Sequence, residues 1–273
     1  MQIKQPACYD VSHYEEITDF NAITPRPLLM ITKATEGSGW VDDKFVRFFD
    51  GMKRAGIRRG AYHFHRKAYS STSQANNFIN MCEAGGVTSQ DILVLDVEEG
   101  GESAAQLQSW FEIVGGRFPN NLLMIYSRKN LLDPIQMLLS KIFPINTPTF
   151  SINMTLAERE FFKKIPVWTA GYPFTPDNYN SPPSSYIPDQ TKWGPVWLWQ
   201  YSDKGVIVGI TGGVDLNWMS PDIQNWLGSP PEPPAGNVDT PFVGVTRARG
   251  LVDGLDVQAV IIEPGAIGKV DVI

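Results

Sequence analysis

Cysteine and histidine are scarce in this chain. Its 273 residues include two cysteines, Cys8 and Cys82, and three histidines. Two cysteines cannot build a disulfide framework, and these two form no C-x-x-C pair, so they read as small buried thiols. His63 and His65 stand two residues apart with no third nitrogen or sulfur ligand in view, so no His/Cys metal cluster is expected. Long apolar runs are missing as well. None approaches the roughly 18 residues of a membrane helix, which excludes a helical span. The opening MQIKQPACYDVSH has no apolar stretch after its lysine, so no secretory signal is legible and synthesis in the cytosol is expected. Positive charge is also in deficit. Lys and Arg number 23 against 29 Asp and Glu, giving a net charge of −6. That balance argues against nucleic acid as a partner.

What is present is the composition of a globular protein, with 42% hydrophobic and 19% charged residues. The run GSPPEPPAGNVDTP, residues 228–241, reads as a stiff linker. It separates a large domain, residues 1–227, from a small β-rich tail, residues 242–273. Within the large domain, strand and helix patterns alternate. Strands are expected at Ala7–Asp10, Leu28–Thr32, Gly60–Phe64, Ile92–Glu98, Leu122–Tyr126, Val167–Ala170, Val196–Tyr201 and Val214–Leu216. Helical spacing of apolar residues marks Phe45–Ala55, Ser73–Ala84 and Ser103–Val114. Such alternation predicts an α/β fold with a mostly parallel sheet, and eight strands suit a closed barrel. The last three strands lack patterned helices between them, so a regular eightfold repeat is not expected.

The most informative stretch is Ile92-Leu-Val-Leu-Asp-Val-Glu98. Its apolar, β-branched character marks a buried strand. Side chains alternate between faces, so Asp96 and Glu98 share one side. Catalytic groups of such barrels gather at strand C-termini. Asp10 closes the first strand in the same way, and Asp215 lies on the last. Four carboxyl groups on three strands suit glycoside hydrolysis, in which one group protonates the leaving oxygen and another meets the charge developing at the sugar carbon. Neighbouring acids can hold one of the set protonated. Spacing alone leaves a metal-dependent hydrolase open.

Six motifs in order carry a resemblance. They are Asp10-Val-Ser-His, Lys33-Ala-Thr-Glu-Gly37, Gly60-Ala-Tyr-His-Phe64, Leu95-Asp-Val-Glu98, Trp199-Gln-Tyr-Ser202 and Val214-Asp-Leu-Asn217. From Ala7 to Leu227 the chain resembles glycoside hydrolase family 25, the Chalaropsis-type lysozymes of bacteria, phages and fungi. The resemblance implies an irregular, TIM-like (β/α)5(β)3 barrel and an N-acetylmuramidase acting on peptidoglycan glycan strands, as in a phage endolysin. It implies Glu98 as general acid and Asp96 as the group that orients the substrate's 2-acetamido arm or stabilises the charge as that arm attacks. Asp10 and Asp215 would be the further active-site acids. No cofactor is implied, since carboxylate catalysis needs none.

Further candidates attach to the same motifs. Tyr62 and Tyr126, at strand ends, either contact the sugar or pack inside the barrel. Trp199 and Tyr201 share one strand face and either floor the sugar site or belong to the core. Glu36 matches an acidic family residue after the second strand and suits the rim, with Lys33 as its partner. His63 reads as structural. Leu131–Lys164 and the aromatic-rich Tyr172–Trp193 do not align with the family, and the latter could wall the groove. The tail resembles, at residues 245–251, the opening of a bacterial SH3-like wall-binding module. A docking or oligomerising role is equally open for it. Two other functions remain in play: a non-catalytic wall-binding or virion protein keeping the barrel, and a hydrolase of another N-acetylhexosamine linkage.

Overall fold

The computed structural model describes residues 7–128, 154–172, 188 and 193–228, together with the backbone of the strands at 245–252 and 255–262. The chain divides into two units, Met1–Pro233 and Pro234–Ile273.

The described residues of the first unit hold nine strands: β1 (Ala7–Val11), β2 (Pro27–Glu36), β3 (Trp40–Val41), β4 (Arg58–Phe64), β5 (Ile92–Val97), β6 (Leu122–Arg128), β7 (Val167–Ala170), β8 (Val196–Gly205) and β9 (Val214–Met219). All but β3 close into a barrel of eight, because β1 pairs with both β2 and β9. β1, β2, β4, β5, β6, β7 and β8 pair in parallel, whereas β9 runs antiparallel to both β8 and β1. β3 is a short antiparallel addition to the far end of β2. Five helices are described: α1 (Phe45–Arg54), α2 (Ser71–Ala84), α3 (Ala104–Arg117), α4 (Leu156–Phe162) and α5 (Pro221–Leu227). Between β1 and β2 stands only a 3-10 turn, Phe20–Ala22. The architecture is therefore the irregular α/β barrel expected, with helices serving the early strands.

Period-two alternation explains the layering. Cys8, Leu29, Ile31, Ile92, Val94, Met124, Trp168, Leu198 and Met219 form one buried cluster inside the barrel. Their sequence neighbours Leu93, Leu95, Val97 and Ile125 face the other way, onto Phe45, Phe78, Leu107, Trp110 and Phe111 of the helices. Each such side chain contributes roughly 1.5–3 kcal/mol by leaving water. His63 lies in this outer layer, fully buried, 2.7 Å from Thr35 Oγ1 and 3.2 Å from Gln74 Oε1. Burial lowers its proton affinity to about 3, so it is a neutral structural residue. Both cysteines are free and buried.

Local signals set the helix ends. α2 starts earlier than Ser73, because the Ser70 hydroxyl accepts from the Ser73 amide. Periodicity alone misses α4 and α5, which are only seven residues long. Their caps were nevertheless written in the sequence. Thr155 and Glu158 form a reciprocal capping box, and Ser220 caps α5 with Pro221 at its first turn. Trp193, grouped in the sequence with a groove wall, instead packs on Phe162 with ring centres 4.8 Å apart, in the layer between helices and barrel. At the other end of that segment the Tyr172 hydroxyl donates to Gln200 Oε1 at 2.7 Å, while its Phe174, Tyr179 and Tyr186, and Leu131 to Asn153, lie outside the described residues. No helix among the described residues is long and apolar enough to cross a membrane.

The second unit is described as an antiparallel pair, β10 (Val245–Val252) with β11 (Leu255–Ile262), in unbroken register from Val245–Ile262 to Val252–Leu255. This agrees with the short strands expected in the tail.

Candidate active site

The parallel strands bring their C-terminal ends to one rim. β9 reaches that rim by a different route: being antiparallel, it places its second residue there. Asp215 consequently stands directly opposite Asp10 in the β1–β9 register. Asp96 faces inward near the end of β5, and Glu98 follows that strand. The pocket at this mouth is lined by Asp10, Tyr62, Asp96, Glu98, Tyr126, Trp168, Gln200 and Asp215. The structure thus brings together all four sequence-predicted carboxyl groups and both predicted tyrosines.

Three other candidates fall elsewhere. Trp199 and Tyr201 point out of the barrel and pack with Tyr9, Met30 and Leu216, because residues at i and i+2 share a face and Leu198 and Gln200 hold the inward one. Glu36 does not line the pocket. It takes Lys33 Nζ at 2.7 Å, as expected, and Arg66 Nη2 at 2.6 Å. Arg66 continues to Glu99 at 2.8 Å, so Glu36 belongs to a rim ion network.

Sequence reasoning missed the residue at the centre. Gln200 Nε2 donates to both Asp10 oxygens, at 3.1 and 3.2 Å, and to Asp215 Oδ2 at 3.0 Å. Its Oε1 accepts the hydroxyls of Tyr126 at 2.9 Å and Tyr172 at 2.7 Å. Asn217 Nδ2 donates to Asp10 Oδ1 at 2.7 Å, while Asn217 Oδ1 accepts from Trp168 Nε1 at 2.7 Å. The available signal was one amide in an otherwise apolar strand pattern, Val-Trp-Leu-Trp-Gln-Tyr. Such a buried amide must find partners.

This network decides the charge states. Burial raises the Asp10 proton affinity to about 6, opposed by the amides of Asn217 and Gln200. Asp215 is pushed up to about 10, first by burial and then by the charge of Asp10. The pair as a whole is therefore driven toward sharing a proton, by burial and by the mutual repulsion of the two carboxylates. Asp96 is raised well above the usual carboxyl range by burial and by the charge of Glu98 beside it. Asp96 Oδ1 is buried and has no hydrogen-bond partner among the described residues. Tyr62 and Tyr126 are held as neutral phenols by burial and the surrounding acids.

Asp215 also makes stability depend on pH in a defined direction. Folding raises its proton affinity above the ordinary 3.8. Above that pH the unfolded chain binds fewer protons than the folded one, so stability falls as pH climbs toward the folded value. Asp215→Asn, a mimic of the protonated form, should gain on the wild type steadily from about pH 4 to pH 8. Urea unfolding across that range measures it, and a pH-independent difference would refute the assignment.

A closed barrel with coupled carboxyl groups and neutral phenols at its strand C-termini is the type of site that hydrolyses glycosidic bonds. The chain belongs to the glycosyl hydrolases family 25, whose model matches residues 9–210. It is 29% identical over 222 residues to lysozyme M1 of Streptomyces globisporus, covering 76% of this chain and 65% of that protein. It is 29% identical over 218 residues to the autolytic lysozyme of Clostridium acetobutylicum, covering 78% of this chain and 56% of the relative. The chain thus spans less than two thirds of the length of either relative. The fold is shared with the crystal structure of the bacterial lysozyme from Streptomyces coelicolor, at a TM-score of 0.56 and 24% identity, over 84% of this chain and 99% of that one.

Proposed function

We propose that this chain is a peptidoglycan hydrolase, an N-acetylmuramidase that cuts the β-1,4 bond from N-acetylmuramic acid to N-acetylglucosamine in the cell wall. The observation that carries this reading is Asp96 Oδ1, buried beside Glu98 in the pocket and without a hydrogen-bond partner among the described residues. An orphaned acceptor in a cleft calls for a donor on the ligand, and the N–H of a 2-acetamido group is such a donor. The kinship with the two lysozymes points to the same substrate.

In this mechanism Glu98 protonates the glycosidic oxygen. Asp96 orients the acetamido N–H so that the acetamido oxygen attacks the anomeric carbon as the bond to the leaving sugar breaks. Asp96 then meets the positive charge that develops on the acetamido nitrogen. Asp10, kept ionised by Gln200 and Asn217, adds negative potential beneath the sugar. Tyr62 and Tyr126 supply neutral hydroxyls at the same wall.

The test is a digest of purified peptidoglycan, with products reduced by borohydride and read by mass spectrometry. New reduced muramic acid ends are expected. Reduced glucosamine ends would move the cut to the other linkage. Sedimentation of folded protein with the wall, without cleavage, would overturn the enzyme in favour of a binding protein.

A further inference from the structure

One strong contact in the site has no part in the mechanism so far. Arg128, the last residue of β6, places Nε at 2.9 Å and Nη2 at 2.6 Å from Glu98. Both donors reach the same oxygen, Oε2. Among the described residues, Oε1 of Glu98 accepts no hydrogen bond. The guanidinium therefore does not clamp the carboxyl across both oxygens, as a fork-to-fork pair would. It grips one and leaves the other.

The backbone makes this grip a fixed feature. β5 and β6 run in parallel register, with Val97 opposite Ser127. The Ser127 hydroxyl donates to Val97 O at 2.7 Å and ties the strand ends together. One residue further on, past the last pair of the ladder, Arg128 donates to Glu98. Glu98 itself lies past the end of β5, where no strand pairing holds its backbone. Its side chain needs a restraint from elsewhere, and Arg128 is the described residue that donates to it. The arginine side chain is 62% exposed against 17% for the glutamate. Solvent screening on that side keeps the cation from opposing a protonated Glu98 as a buried charge would.

We propose that Arg128 is the positioning residue of the general acid: by holding Glu98 Oε2 it aims Oε1 at the glycosidic oxygen. It touches no reacting atom and acts through Glu98 alone. The inference rests on the muramidase reading. A lysine at this position makes one contact instead of a fork, so it should do the work only in part.

The experiment is a kinetic cycle on soluble glycan with wild type, Arg128→Ala, Arg128→Lys, Glu98→Gln and the double variant Arg128→Ala/Glu98→Gln. Misplacing a catalytic group by an ångström costs on the order of 100-fold. Arg128→Ala should therefore lose about 10- to 100-fold in kcat with KM within about twofold, and Arg128→Lys should recover part of the loss. In the Glu98→Gln background the same alanine change should cost nothing further, because the group it positions is already gone. A loss confined to KM, or an equal loss in both backgrounds, would overturn the proposal. A second readout needs no turnover. The side-chain carboxyl 13C signal of Glu98, assigned by its disappearance in Glu98→Gln, should move or broaden in Arg128→Ala. An unchanged signal would overturn the tether. A wild type that folds but cuts nothing would defeat the muramidase reading, while this signal still decides the tether.

Discussion

Glu98→Gln should abolish nearly all turnover and leave the fold intact. The amide has the shape of the carboxyl group but cannot deliver a proton, and positioned general acids contribute about 10²–10⁴ in rate. Glu98 lies past the end of β5, and its ion pair among the described residues is to an exposed arginine, so stability should change by less than about 1 kcal/mol. Initial rates on peptidoglycan, together with a thermal melt of each protein, measure both halves. A variant that cuts at the wild-type rate would remove Glu98 from the mechanism. One that loses both activity and its melting transition would make it structural.

The largest effect on stability is expected far from the mouth. Arg59, near the start of β4, and Asp91, just before β5, are both buried, and Arg59 Nη2 lies 2.6 Å from Asp91 Oδ2. Arg59 Nε adds a second contact to Asp91 Oδ1 at 2.9 Å. The Thr88 amide and hydroxyl also donate to Asp91, at 2.7 and 3.0 Å. Asp91→Ala leaves the guanidinium buried without its counter-charge and frees those donors. Breaking such a pair from one side costs about 3–5 kcal/mol, a large fraction of the 5–15 kcal/mol that stabilises a typical domain. Replacing both partners, as Arg59→Met with Asp91→Leu, should recover much of the loss. Urea unfolding of the single and double variants tests this, and a single-variant loss below about 1 kcal/mol would refute it.

Much of the barrel was written in local pattern. The strands expected at Ile92, Leu122 and Val167 start at those residues, and the strand at Val167–Ala170 ends where expected. Each carries strong period-two or apolar signal with breakers on both sides. Ends beyond the apolar run were not legible: β2 continues from Thr32 to Glu36, and β8 from Tyr201 to Gly205. Ladder hydrogen bonds, which any residue can make, extend those strands past their hydrophobic stretch. Of the two roles open to Trp199 and Tyr201, the structure gives them the core one, and the sequence left that choice open for a related reason. Large aromatics look like sugar platforms in any sequence. Which parity of a strand faces the pocket is fixed only by its neighbours in the barrel.

The sequence by itself determined the alternation of strands and helices, the pairing of Asp96 with Glu98 on one face, and the acidic character of the site. These follow from side-chain periodicity and composition, which are local properties. Only the tertiary structure decided how the four acids meet. Asp215 reaches Asp10 because β9 runs backwards between β1 and β8, a reversal that no residue in β9 encodes. Closure of the barrel then puts Gln200 between the two carboxyl groups, Asn217 beneath Asp10, and Arg128 against Glu98. Charge states depend on burial and on neighbours a few ångströms away. Those neighbours come from strands as far apart in the chain as β1 and β9, so they exist only once the barrel has closed.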